Sequence, residues 1–455
     1  MKVDILKKII EEVPEYDSFM TVDELNESSF ELKRKYPDTV DLFEIGRSTD
    51  GEPIYCLKLG NGKLKALLYA FPHPNEPVGS LMLDYISWKL AESRELMKLF
   101  DYTWFIIKVA DVDGARLNEG WFKKPYSFLE YILNYYRPAG NQQVEWTFPI
   151  DYKTLKFDSP IPETKALMNI IEQEKPIFIY SLHNAGFGGV YYYITEEAHL
   201  LYPIYEKSAD DRNVPLALGE PEVPYVKKVA DAVYMMPTTV ETYDYLEKYA
   251  DKDPAKIIKS GDSSFGYARK FNPNLFELVC EVPYYYDERI EDERETEFIR
   301  RDLVLEFLEF QKEDMEELER MMEKIKDRIN VRTKFQQALE YFVETFKEGF
   351  PAQKKWAETS DELNRKATVA EEFDNRYAAR SYSLFKWGLF LRMLKANNEG
   401  GKFEDEIENV ENKIKKRVQE LEEKVEFNVI PIKKLVQIQL MAGLYSMLYV
   451  QGRNS

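Results

Sequence analysis

Ala66-Leu67-Leu68-Tyr69-Ala70-Phe71-Pro72-His73-Pro74-Asn75-Glu76-Pro77 begins as an apolar run of strand length, stops, and exposes a His-x-x-Glu. Two later stretches follow the same pattern. Ile177-Phe178-Ile179-Tyr180-Ser181-Leu182 ends on His183, and Leu275 to Cys280 ends on Glu281. The chain has three histidines, and two of them stand just past the ends of apolar strands. Open α/β sheets bind ligands beyond the carboxyl ends of their strands, so these side chains point to one site. Two imidazoles and one carboxylate leave a zinc position open, which marks a catalytic rather than a structural centre. His73, Glu76 and His183 are therefore the expected ligands of one Zn2+ ion. A lone His-x-x-Glu is a weak signal, and a lone strand-end histidine is more often a hydrogen-bonded turn residue. The joint pattern is what carries the reading.

Outward from this stretch the chain alternates strands and helices. Apolar spacing through Ile5, Ile9, Ile10 and Val13 predicts a short amphipathic helix. Thr21 to Tyr36 reads as a second helix, with Thr21 and Glu24 as a capping box. Asp41 to Leu59 reads as a hairpin about a Ser48-Thr49-Asp50-Gly51 turn. A helix from Pro77 to Leu99, a strand from Thr103 to Val109 and a strand from Val190 to Thr195 follow. The pattern predicts an α/β fold with a mixed central sheet flanked by helices. After about residue 287 the texture changes. Asp287 to Asn330, Lys334 to Glu348, Asp361 to Ala396, Phe403 to Val425 and Ile432 to Tyr449 all have helical spacing. The expected division is a catalytic domain over 1–287 and an all-helical C-terminal domain over 288–455. The apolar stripes of the helices read as core first and as a homo-oligomer interface second.

Composition limits the partners. The 455 residues carry 81 acidic and 62 basic side chains, a formal charge of −19, which argues against nucleic acid and anionic membranes. Cys56 and Cys280 each sit in an apolar strand and read as buried free thiols, not as a disulfide framework. The first 14 residues lack an uninterrupted apolar h-region, and no run of about 18 apolar residues occurs. A soluble, cytoplasmic protein is the expectation.

The stretch Tyr36-Pro37-Asp38, Phe43-Glu44-Ile45-Gly46-Arg47-Ser48, Gly51-Glu52-Pro53-Ile54-Tyr55 and His73-Pro74-Asn75-Glu76 resembles the start of the zinc carboxypeptidases, the carboxypeptidase A-like metallopeptidases. Asp111-Val112-Asp113-Gly114 is similar to that family's N-P-D-G loop. Ser181-Leu182-His183-Asn184 resembles its third-ligand strand, and Glu277-Leu278-Val279-Cys280-Glu281-Val282-Pro283 the strand of its general base. The resemblance covers about residues 20–290. It implies a hydrolase that cleaves an amide bond of a peptide or amino-acid conjugate. Zinc would acidify a water, and Glu281 would take its proton and return it to the leaving amine. Alternation turns Cys280 away from Glu281, so it is neither ligand nor nucleophile. Asn184 and the Gly186-Phe187-Gly188-Gly189 loop flank the expected metal and line its pocket or form an ordinary turn. His199 reads as a surface residue.

The resemblance also has gaps. The family's exopeptidases hold a terminal carboxylate with an Asn-Arg pair in a V-D-x-N-R-N-F-P-like stretch. Here Val144-Glu145-Trp146-Thr147-Phe148-Pro149 is shorter and has neither residue. The Trp before the family's oxyanion-stabilising Arg corresponds to Trp121, which Phe122 follows. Arg116 is the first candidate to supply that charge from a shifted position, with Lys123, Lys124 and Arg137 as others. Arg137 is also a candidate for substrate binding. Tyr267 or Tyr243 would stand in for the family's mobile Tyr, which would fall near Ile257 or Ile258. The aromatic residues Trp121, Phe122, Tyr126, Tyr131, Tyr135, Tyr136 and Trp146 shape an apolar pocket or simply pack. A missing guanidinium fork predicts weak discrimination for a free C-terminus. The alternatives to a carboxypeptidase are an N-acyl amino acid deacylase or amidase of the same fold, and a non-catalytic metal-binding protein.

Overall fold

The Leu64–Ala70 run becomes an inner strand of a nine-stranded mixed sheet. The computed structural model describes residues 2–123 and 127–454. Across the sheet the strands run Val40–Arg47, Pro53–Leu59, Tyr102–Ile107, Leu64–Ala70, Phe178–His183, Phe276–Glu281, Tyr191–Ile194, Val233–Met235 and Lys228–Ala230. The four from Tyr102–Ile107 to Phe276–Glu281 are parallel to one another. Parallel strands are covered on both faces, which is why these sequences are apolar throughout rather than alternating. Every residue of Phe178–His183 and Phe276–Glu281 is buried, charged ones included.

Register brings the site together. Glu281 pairs with His183, and Ala70 pairs with Leu182 on the other side. Three strands therefore end along one edge of the sheet. After Ala70 the chain turns sharply at Phe71, whose φ of 55° is unusual for a bulky side chain. The N–H groups of Ala110 and Asp111 hold that corner by donating to the carbonyls of Ala70 and Phe71. The helix Val78–Glu92 starts just after it. The expected helix from 77 to 99 is divided, because Ser93 is extended and its hydroxyl caps a second helix, Arg94–Leu99. The capping box at Thr21 and Glu24 is present at the start of Val22–Lys35.

The C-terminal region is helical, but its first long helix begins at Arg300, not near 287. Helical spacing in 287–299 is overridden by pairing. Tyr285–Tyr286 pairs with Asn428–Val429, and Glu295–Ile299 with Lys366–Thr368. Lys334–Thr359 continues 11 residues past its expected end and carries Pro351 inside it. The expected helix from 361 to 396 is broken by a π-helical turn, Asp374–Ala378, before Ser383–Ala396. Among the described residues no helix is long and apolar enough to cross a membrane. Cys56 and Cys280 are buried and free.

The helix Ile432–Arg453 returns to the sheet and packs on Val78–Glu92, Tyr202–Asp210 and the inner strands. Its buried Gln439 donates from Nε2 to the carbonyl of His183 at 2.8 Å and to that of Cys280 at 3.4 Å. Tyr180 donates its hydroxyl to the Gln439 carbonyl at 2.9 Å. Gly443 makes this approach possible, since a Cβ there would stand 2.5 Å from Tyr180 Cε1. Gly443→Ala is expected to destabilise the protein by about 1–3 kcal/mol through overpacking. Urea unfolding checks this; an unchanged midpoint would mean that the seam between helix and sheet is loose.

Candidate metal centre and its cavity

His73 and Glu76 sit on the corner after Leu64–Ala70, and their side chains meet. His73 Nδ1 lies 3.1 Å from Glu76 Oε1. His183 Nδ1 lies 3.1 Å from Glu76 Oε2 and 3.7 Å from Glu281 Oε1. Ligand atoms of His73, Glu76 and His183 all fall within 4.8 Å of one another, and all three residues are buried. The imidazole rings stand edge to face at 4.8 Å.

The donor set suits zinc, which takes imidazole nitrogen and carboxylate oxygen. The hydrogen bonds agree with this. His183 Nε2 is 2.9 Å from Ser181 Oγ, and Ser181 Oγ is 3.3 Å from Glu145 Oε2. A proton on Nε2 leaves the Nδ1 lone pair toward Glu76, and that buried Nδ1 has no hydrogen-bond partner. Burial and the nearby Arg137 hold His73 neutral, with its pKa lowered to about 3. Burial alone would raise the Glu76 carboxyl, but His73 and His183 keep it well below the usual carboxylate range. Burial, with Glu76 and Glu222 adding to it, pushes Glu281 well above that range against the pull of Arg137. Oε2 of Glu281 is buried and unpartnered.

Partners that orient a ligating imidazole are worth about 10–100-fold in metal affinity. Ser181→Ala is therefore expected to weaken zinc binding about tenfold while leaving the fold intact. Competition with a chromophoric chelator measures this. Unchanged affinity would show that Ser181 does not orient His183.

These residues line a cavity of about 580 Å3, within the usual range for a small-molecule site. Arg137 enters it and lies 3.5 Å from Glu76 Oε1. Asn184 lines it too. Its Oδ1 accepts the Val78 N–H at 3.0 Å, serving an orphan donor at the start of Val78–Glu92, and its backbone N–H donates to Glu76 Oε2 at 3.2 Å. Arg116 is not among the residues lining this cavity; it pairs with Asp23 at 2.8 Å and Glu52 at 3.3 Å. Tyr267 and Tyr243 are also absent from the lining. Tyr267 donates to Glu172 at 2.5 Å, and the Tyr243 hydroxyl pairs with that of Thr154 at 2.8 Å. Lys123 pairs with Glu24 at 2.6 Å. Lys124 and Tyr126 lie outside the described residues. Of the aromatic residues, Tyr131, Tyr135 and Trp146 line the cavity, while Trp121, Phe122 and Tyr136 are core. His199 is exposed at the surface.

Several residues at this site escape sequence reasoning. Glu145 lines the cavity but is bound from behind by Tyr69 Oη at 3.0 Å and by the Ser264 backbone N–H at 3.3 Å, while the Ser264 hydroxyl lies between it and the fully buried Glu277, 2.6 Å from the latter. Tyr341, Phe342, Tyr382 and Phe385 of the helical region form part of the wall. The Tyr382 hydroxyl accepts the N–H groups of Gly186 and Phe187, at 3.2 and 3.3 Å, and so fixes the loop that follows His183.

A family model described as zinc carboxypeptidase matches residues 26–283, more than half of the chain. The chain belongs to the zinc carboxypeptidase family. Solved structures similar to it include carboxypeptidase A from Helicoverpa armigera, at 14% identity over 79% of this chain and 81% of that one, with a TM-score of 0.39. A metallo-carboxypeptidase from Burkholderia cenocepacia is similar at 15% identity over 60% of this chain and 61% of that one, TM-score 0.30. Bovine thrombin-activatable fibrinolysis inhibitor, solved with a tick carboxypeptidase inhibitor, is similar at 11% identity over 57% and 86%, TM-score 0.38. No curated protein matches the chain in sequence.

Proposed function

We propose that the protein is a zinc-dependent hydrolase of an amide bond in a peptide or amino-acid conjugate. The observation that carries this is the meeting of His73, Glu76 and His183 within 4.8 Å, with Glu281 Oε1 3.7 Å from His183 Nδ1. Zinc held there would supply Lewis acidity toward a carbonyl and would acidify a water. Glu281 would accept the proton of the attacking water and pass it to the leaving nitrogen. Arg137, rather than Arg116, is the guanidinium placed to face charge developing on the carbonyl oxygen. Asn184 would position the metal-side wall of the cavity.

A second reading, an amidase or N-acyl amino acid deacylase, is favoured by one feature. Where the family's carboxylate anchor is expected, Glu145 presents an acid that Tyr69 and Ser264 hold in place. The test is digestion of a peptide library in which each peptide has a free and an amidated C-terminus, read by mass spectrometry. Cleavage of both forms supports the amidase reading. Loss of one residue from free-ended peptides alone supports a carboxypeptidase with a relocated anchor. Zinc binding without turnover of any amide, acylated amino acids included, would overturn both.

A further inference from the structure

A second chamber of about 510 Å3 adjoins the cavity of the metal centre. Arg137, Ala185, Tyr191, Glu222 and Tyr382 line both, so the two lie side by side. The far wall comes from the helical region and includes Phe307, Trp356 and Asp374. Asp374 opens the π-helical turn Asp374–Ala378, an irregularity that recurs at functional sites.

Among the described residues Asp374 has no counter-ion. Its Oδ2 accepts the Glu220 N–H at 2.7 Å, and Gly219 permits this approach, because a Cβ there would meet Oδ2 at 2.1 Å. Nearby cations are committed elsewhere. Arg300 pairs with Glu220 at 2.5 Å and Glu371 at 3.2 Å, Arg376 with Glu372 and Glu306, and Arg380 with Glu306. Burial, with Glu220 and Glu371 adding to it, pushes Asp374 up to about 7, as expected for a carboxylate that lacks a positive partner. Glu222 accepts the hydroxyls of Tyr191 and Tyr193, each at 2.8 Å. Those phenols orient the carboxylate without neutralising it.

The charge of the second chamber leans the same way. Among the described residues the second chamber is lined by Glu222 and Asp374, by Glu220 paired with Arg300, by Arg137 and by no lysine. The rings of Tyr191, Tyr234, Phe307, Trp356 and Tyr382 add faces that attract cations. An anionic group would meet Asp374 and Glu222 directly, whereas a cation would compensate the Asp374 carboxylate.

We propose that the second chamber is a subsite for an organic cation, an ammonium or guanidinium group carried by the substrate whose amide lies at the metal centre. This rests on the hydrolase reading for its place in a reaction, but its test does not. Titration calorimetry of the zinc-loaded protein compares benzylammonium with its neutral counterpart, benzyl alcohol. Wild type is expected to bind the cation at least tenfold more tightly. Asp374→Asn, which keeps an acceptor for the Glu220 N–H, is expected to reduce that preference to less than threefold. Glu222→Gln tests the opposite wall and carries the experiment if the Asp374 variant does not fold. Equal binding of the two compounds by wild type, or an intact preference in a folded variant, would overturn the proposal. Cation binding without amide cleavage would sink the hydrolase reading and leave the subsite standing; cleavage without cation preference would do the reverse.

Discussion

Glu281→Gln is expected to lower turnover of any amide substrate by at least about 10³-fold with zinc still bound. The substitution keeps the shape of a side chain that is almost fully buried and removes only its capacity to hold a proton. General acid–base catalysis contributes roughly 10²–10⁴-fold, and here one carboxylate would serve both as base and as acid, which places the loss in the upper part of that range. His73, Glu76 and His183 are untouched, so metal content measured by atomic emission should match wild type. Loss of zinc together with activity would recast Glu281 as a structural partner of His183, 3.7 Å away. Retained turnover would move the proton-transfer role to another group.

Removal of residues 432–453 is expected to abolish cooperative folding of the sheet as well as of the helices. That helix buries Leu435, Ile438, Leu440, Leu444 and Met447 in the core it shares with the sheet and with Val78–Glu92 and Tyr202–Asp210. At about 1.5–3 kcal/mol for each large apolar side chain withdrawn from water, these five alone reach the scale of a domain's net stability, about 5–15 kcal/mol. The loss also frees two buried carbonyls, those of His183 and Cys280, which Gln439 now satisfies. Calorimetry should show no native transition in the shortened chain. A sharp melt with zinc binding retained would mean that the sheet stands without this helix.

The residues of the candidate metal centre were legible in the sequence because each ends or follows an apolar strand. Strand ends are local facts, and the parallel register that sets Glu281 opposite His183 follows from three strands of similar length ending at one edge. Cationic and aromatic neighbours were far less legible. Arg116 and Arg137 look alike in sequence, and only the packing separates the one paired with Asp23 from the one facing Glu76. Tyr382 and Asp374 lie near 200 residues from His183 and belong to helices whose pattern says only that they are amphipathic. The start of the first long helix was misplaced for a related reason. Glu295–Ile299 has helical composition but finds a strand partner in Lys366–Thr368, and that pairing is invisible locally. Gln439 reads as a polar interruption of an apolar helix. Its use becomes clear only when the carbonyl ends of two strands are found beneath it.

The placement of Gln439 also sets an order of events during synthesis. Glu281 leaves the ribosome 151 residues before Ile432. At about 5–20 residues per second this is a wait of roughly 8–30 s. Through that interval the two strands that end on His183 and Glu281 lack the helix that covers them. Until that helix arrives, the carbonyls of His183 and Cys280 lack the Gln439 amide that caps them.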